Sequence, residues 1–169
     1  ELGQVIRDWL QGAKQRETAL EIVQSAYEHA HKVAELGKYA AALQSDGAQL
    51  LQVIPSWEGE EAKRLAWEKL DQAALLQEQA DLYRITQEQT LQGALTHKAD
   101  LMEAHLALAE LYQTQHQKSE ERNNKHDGTI LLEKLKHHVL ALREDHPIRQ
   151  RFERYITGDG VFSLHTSPS

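Results

Sequence analysis

The sequence predicts an all-α protein: a long, coiled-coil-like antiparallel helical hairpin, then a tetratricopeptide-like helix pair and a short C-terminal strand. Three observations carry that expectation. Gly (9) and Pro (3) are scarce in 169 residues, so few breakers interrupt the chain. Apolar residues recur at alternating three- and four-residue steps over long stretches, the spacing of a coiled-coil seam. Hydrophobic residues make up 40% of the chain but aromatics only 6%, and alanine supplies much of the remainder. Small side chains bury little area each, which suits thin helix-on-helix packing rather than a thick core.

The first helical segment runs from about Val5 to Val53. Ala13, Leu20, Val23, Tyr27, Ala30, Ala34, Ala41, Ala48 and Leu51 form its stripe, with Arg16, Gly37 and Gln44 interrupting it. Ser45-Asp46-Gly47 offers a break and a new cap, so the segment reads either as one helix or as two. Pro55 ends it. Ser56 is placed to cap the next helix, and Glu58, Glu60 and Glu61 suit its positive N-terminal end. This second helix spans about Glu58 to Thr96, with Ala62, Ala66, Ala73, Leu76, Ala80, Tyr83, Thr90 and Ala94 on its stripe. Two long helices joined by a short Pro turn favour an antiparallel hairpin, with Tyr27 and Tyr83 on a shared seam.

A third helix begins near Asp100. Leu101, Ala104, His105, Leu108, Leu111 and Tyr112 make its apolar face, and it ends within the polar run Lys118 to His126. Asp127-Gly128-Thr129 offers the cap of a fourth, carried by Ile130, Leu131, Leu135, Val139 and Leu142. His146-Pro147 closes that helix, and Ile148 to Ile156 reads as a short fifth. Gly158-Asp159-Gly160 is a turn, and Val161, Phe162, Leu164 and Thr166 suit a strand. The segment Gln87 to Leu142 partly follows the tetratricopeptide helix-turn-helix pattern, once and without repetition. The expected organisation is therefore a hairpin over 1–96, a tetratricopeptide-like segment over 97–157, and the start of a β module or linker over 158–169.

Composition excludes several function classes. The net charge is −7, which disfavours nucleic-acid binding and docking on anionic membranes. Cysteine is absent, so disulfides, thiolate catalysis and Cys-ligated zinc are ruled out. No run approaches the ~20 apolar residues of a membrane span. Glu1 is followed by no signal peptide, and the chain reads as a piece of a longer protein.

Several runs together carry a resemblance. They are Ile54-Pro55-Ser56-Trp57 with Glu60-Glu61-Ala62-Lys63 and Trp67; Ala94-Leu95, Asp100-Leu101-Met102-Glu103-Ala104-His105 and Leu108-Ala109-Glu110-Leu111-Tyr112; and Tyr155-Ile156-Thr157-Gly158-Asp159-Gly160 with Leu164-His165-Thr166-Ser167-Pro168. Over roughly 54–168 the chain resembles the helical region that follows the kinase domain in bacterial multidomain serine/threonine protein kinases. In that group the last run is similar to the opening strand of a PEGA-type β module, and a formylglycine-generating-enzyme-like module often lies downstream. The kinase motifs themselves are missing: no glycine-rich loop, His-Arg-Asp loop or Asp-Phe-Gly occurs. The resemblance therefore implies a spacer or regulatory segment and transfers no catalytic residue.

Ten histidines make metal binding worth weighing. His29 and His31 fall on different helix faces, as do His137 and His138, and HExxH does not occur. Glu133 and His137 could form half a site or an exposed pair, and His97, His105 and His116 could cluster only if their helices converged. GxSxG and a phosphate-binding GxxxxGK[ST] are also missing. The remaining candidates are Trp9, Trp57 and Trp67. Trp57 could staple the hairpin turn and Trp67 pack on the first helix, or exposed indoles could anchor a partner. Trp9 near the open end poses the same choice.

The expected function is thus a non-catalytic interaction or scaffold module of a bacterial serine/threonine kinase-like signalling protein. Its partners would be proteins or neighbouring domains of the same chain, with a homodimer among the options and no cofactor, nucleic acid or membrane insertion. A cytoplasmic setting is favoured. The alternative is a self-associating sensor bundle that binds a ligand or metal through histidines.

Overall fold

A computed structural model describes residues 2–158. Five helices occupy them: α1 (Leu2–Val53), α2 (Glu60–His97), α3 (Met102–Glu121), α4 (Lys125–Leu140) and α5 (Pro147–Thr157). The described residues are all-helical, without a strand. The strand expected over 161–166 lies outside them. Two compact units form, one from residues 21–93 and one from residues 2–20 with 94–158.

α1 is one helix of 52 residues, which settles the open choice between one and two. Ser45-Asp46-Gly47 does not break it. Gly47 is buried, and a Cβ there would lie 2.9 Å from the Leu70 side chain and 3.0 Å from the Ala66 carbonyl oxygen. Its glycine thus serves close approach of α2 rather than a turn.

Within residues 21–93 the two long helices run antiparallel. Gly47 meets Ala66, the Lys69 ammonium donates to Asp46 at 3.1 Å, and the Tyr83 ring lies 6.1 Å from that of His29. These partners have residue numbers adding to roughly 113, the signature of an antiparallel register. The buried seam residues are Val23, Ala26, Ala40 and Gly47 on α1, and Ala66, Ala73, Ala80, Gln87 and Leu91 on α2. Ala26, Ala40 and Gly47 fall at multiples of seven residues, and so do Ala66, Ala73, Ala80 and Gln87.

The α1 seam is therefore rotated by about one residue from the predicted stripe. Ala26 is buried where Tyr27 was expected, Ala40 in place of Ala41, and Gly47 in place of Ala48. Tyr27 stays 46% exposed and Tyr83 38%. Bringing two backbones close selects the smallest side chain for the centre and moves bulk to the flanks. Ala66, Ala73 and Ala80 of the predicted α2 stripe are buried as expected.

The α1–α2 connection turns on Pro55, whose carbonyl accepts from the Glu58 N–H at 3.1 Å. α2 begins at Glu60, so Ser56 is part of this turn and not the helix cap. Glu60 and Glu61 occupy the first turn, where their charge suits the helix dipole.

The second unit has the thicker core. Leu101 at the N-cap of α3 and Ala104, Leu108 and Tyr112 within it pack with Leu135 and Val139 of α4, Leu142 after it and Phe152 of α5, all at most 2% exposed. Ala19 and Ala94 are fully buried in the same unit. Arg16 joins α1 to α3 through Glu103 at 2.9 Å, an exposed pair that contributes little.

The α3–α4 connection differs from the predicted one. Asn123 takes a positive φ of 57°, the Asn123 N–H donates to the Glu120 carbonyl, and the Asn124 N–H donates to that of Ser119, both at 2.9 Å. This is a Schellman stop with Asn in the left-handed position. Asn124 then caps α4, its side chain accepting from the Asp127 N–H at 3.3 Å. The cap thus stands three residues before the predicted Asp127. Gly128 lies inside α4, buried, where a Cβ would meet the Ser119 hydroxyl oxygen at 3.4 Å. Pro147 starts α5, with the His146 ring accepting from the Ile148 N–H, and Gly158 ends it at φ 78°.

Candidate functional site

The three indoles sit at three separate places. Trp9 lies in the first turns of α1 and is 70% exposed; Trp57 lies in the α1–α2 connection and is 83% exposed; Trp67 lies near the start of α2 at 41%. Trp57 does not staple the turn, because its ring faces water. Trp67 sits next to the buried Ala66 and is more than half covered.

Trp9 belongs to a wider apolar patch. Leu2, Val5, Ile6 and Leu10 are exposed along with Trp9 on the first three turns of α1. Val53 is exposed close to Trp57 in sequence, and it borders a shallow cleft of about 350 Å³ with Asp46, Gln49, Leu50 and Lys69. Exposed large apolar side chains standing together, unlike scattered ones, mark contact surfaces.

The histidines fall into pairs that the sequence did not reveal. His105 Nδ1 lies 2.9 Å from His138 Nδ1, and both rings are buried. His105 Nε2 lies 2.9 Å from the Ala99 carbonyl oxygen, so that nitrogen donates. A neutral His105 then accepts at Nδ1 from the His138 N–H. The His138 ring also stacks on Tyr112, with centroids 5.6 Å apart. Lys134 places its ammonium 5.0 Å above the Tyr112 ring. The two histidines thus lock α3 to α4 at a polar point inside an apolar layer.

The second pair is His116 with Tyr155. The Tyr155 hydroxyl lies 2.6 Å from His116 Nδ1 and donates to it when that nitrogen is unprotonated. Burial, and then the nearby Glu120 carboxylate, push the Tyr155 phenol up to about 12. His116 and Glu120 also line a cleft of about 490 Å³ beside Asn123, Asn124, Lys125, Gly128, Thr129 and Leu132.

His97, His105 and His116 do not converge. His105 and His116 are three turns apart on α3, and each has its own partner. Glu133 pairs with Lys136 at 2.7 Å rather than with His137. Among the described residues no group of three or more His, Asp or Glu side chains could hold a metal ion. A sequence signal for the buried histidines did exist. His105 stands among Ala104, Leu108 and Tyr112, and His138 between Leu135 and Val139, so both occupy apolar stripes. The pairing itself needs helices folded together across 33 residues.

Every buried side-chain nitrogen and oxygen among the described residues has a hydrogen-bond partner. The interior polar groups are therefore committed to the fold, while large apolar groups face water on α1 and at the connection. No helix among the described residues is long and apolar enough to cross a membrane. No known protein family, characterised protein or solved structure matches this chain.

Proposed function

We propose that this chain is a non-catalytic helical interaction and scaffold module that spaces neighbouring parts of a signalling protein and contacts other proteins. The observation that carries the reading is the distribution of large apolar side chains. Leu2, Val5, Ile6, Trp9 and Leu10 stand exposed on one helix, and Trp57 at a helix connection. A rigid helix that presents aromatic and aliphatic groups in register suits helix-in-groove recognition. Aromatic anchors supply most of the energy of such contacts.

The resemblance of 54–168 to the region following the kinase domain in bacterial serine/threonine kinases gives the proposal its context. The tetratricopeptide-like pattern in the α3–α4 segment belongs to the same reading, since helix pairs of that type present protein-binding faces.

The experiment is site-specific photo-crosslinking in the cell that makes the protein. A photoreactive residue replaces Trp9, Trp57 or, as a control, Gln89, which is exposed on α2. Protein adducts at positions 9 and 57 but not at 89 are expected. Equal adduct formation at all three positions, or none at any, would remove the basis of the reading.

A histidine-based sensor is the second reading, favoured by the buried His105–His138 pair and the cleft beside His116. It stands behind the first because the imidazoles already satisfy one another and Tyr155. Zinc or nickel titration with thermal unfolding tests it, since a ligand that binds only the folded state raises the melting temperature.

A further inference from the structure

The apolar face at the start of α1 has an internal symmetry that points to its occupant. Leu2, Ile6, Trp9 and Ala13 follow steps of four, three and four, so they form one stripe along the helix, with Val5 and Leu10 on either side. Residues 2–10 are all exposed, as is Ala13, and the five large apolar residues keep 50–76% of their surface in water.

The stripe reads the same way in both directions. Reversing the segment about the bond between Arg7 and Asp8 sets Leu2 opposite Ala13, Val5 opposite Leu10 and Ile6 opposite Trp9. The same reversal sets Gly3 opposite Gly12 and Gln4 opposite Gln11. Every apolar residue faces another apolar residue; Trp9, the bulkiest, faces the smaller Ile6, and Leu2 faces Ala13. A two-fold axis through the middle of the segment demands this kind of self-complementarity, because each surface must fit its own copy.

We infer that residues 2–13 of α1 pair antiparallel with the same residues of a second copy of this chain, around a two-fold axis near Arg7 and Asp8. The inference rests on the interaction-module reading and names its partner for one face.

Three further features fit that occupant. At helical spacing, Gln4, Arg7, Asp8 and Gln11 fall on the side away from the stripe, so pairing buries no charge. Three of them already satisfy one another: Gln4 Nε2 donates to Asp8 at 2.9 Å, and the Arg7 guanidinium donates to Gln4 Oε1 at 2.9 Å. Gly3 and Gly12 flank the stripe; a Cβ at Gly12 would meet nothing within 4 Å, and one at Gly3 only the Arg7 tip at 3.9 Å. Room is therefore left beside the stripe for a second backbone. The area sets the strength: the exposed apolar side chains offer at most about 600 Å² per copy, or ~1,200 Å² for the pair, so the contact falls at or below the lower edge of specific interfaces. A reversible dimer follows, not an obligate one.

The test is sedimentation velocity of the whole chain across a concentration series into the high micromolar range. The unaltered chain should shift from monomer toward dimer. Ile6→Asp and Trp9→Asp should each weaken the dimer by about tenfold or more, as loss of a central anchor does, while Gln89→Asp, at an exposed position on α2, leaves it unchanged. These positions are exposed in the single chain, so circular dichroism and the melting temperature of a dilute sample should not change. Register is read separately. The chain has no cysteine, so an Ile6→Cys chain mixed with a Trp9→Cys chain should oxidise to the mixed disulfide faster than either chain alone to its own. A monomer throughout overturns the dimer and leaves the in-cell crosslinks to decide the wider reading. A dimer that survives both Asp variants, or Cys chains that link like to like, overturns this face or this register.

Discussion

Residues 21–93 and residues 94–158 are both helical, yet they are held together by different means. The first region buries alanines and a glycine along its seam, and Leu91 is its only side chain among the largest that are fully buried. The second buries Tyr112, Phe152 and three imidazoles within three short helices. A seam of small residues gains its stability from many close approaches, each worth little. A core of rings gains it from few side chains, each worth a great deal. Substitutions should therefore act locally and steeply in the second region, and in the first should depend on size above all.

The largest expected effect tests the thicker core. Phe152→Ala removes a fully buried ring from α5 and should cost about 3–5 kcal/mol. Urea unfolding followed by far-ultraviolet circular dichroism measures it. If the two regions unfold separately, the variant should lose only part of its helicity at low urea. A single unshifted transition would show that the ring contributes nothing distinctive.

Enlargement in the seam should do more harm than removal of a larger side chain outside it. Ala73→Leu forces three extra heavy atoms between closely spaced helices and should cost ~1–3 kcal/mol. Leu75→Ala, at an exposed position on the same helix, should stay within ~0.5 kcal/mol. If both variants unfold at the same urea concentration, the seam is looser than the Gly47–Ala66 approach implies. A comparable loss, ~1–3 kcal/mol, is expected in the other region for a polar reason. His138→Ala leaves the buried His105 Nδ1 without its partner and unstacks Tyr112. His138→Ala with unchanged stability would mean that water takes over the bond.

Alkaline pH separates the regions by chemistry rather than by size. The Tyr155 phenol ionises near 12 in the folded chain and near 10.0 when unfolded. Its raised value means that the stability it carries is complete below pH 10 and declines as pH rises from 10 toward 12. Tyr155→Phe should flatten that part of the curve, measured by urea midpoints at successive pH values. An identical decline in the variant would assign the effect to other groups.

Much of this was legible in the sequence, and the misses share a cause. Pro55 and Pro147 mark two helix junctions, and the α3 stripe from Leu101 to Tyr112 is buried as its spacing predicts. The α1 seam was displaced because an apolar stripe weights Leu20 and Tyr27 above Ala19 and Ala26, whereas close packing prefers the smaller residue. The α4 start was displaced because Asp127-Gly128 looks like a cap and a breaker. Gly128 is instead the residue that lets α4 meet Ser119 of α3. The histidine pairs join residues 33 and 39 positions apart, which no local pattern encodes.

The smallest expected effect gives the most direct measure of how close the seam is. Gly37 and Gly47 both lie inside α1, so in a free helix replacing either with alanine should stabilise by about 1 kcal/mol. At Gly37 an added Cβ meets nothing within 4 Å, and that gain should appear in full. At Gly47 the same atom would stand 2.9 Å from Cγ and Cδ2 of Leu70 and 3.0 Å from the Ala66 carbonyl oxygen. Neither the branch point of a leucine nor a helix carbonyl can swing aside, so α2 must shift. Gly47→Ala should therefore lose the gain or reverse it, and thermal melts of the two variants should move in different directions from the parent or differ clearly in size. Equal stabilisation at both positions would mean that α2 yields at no cost, and the small-residue seam would then be a product of composition rather than a requirement of packing.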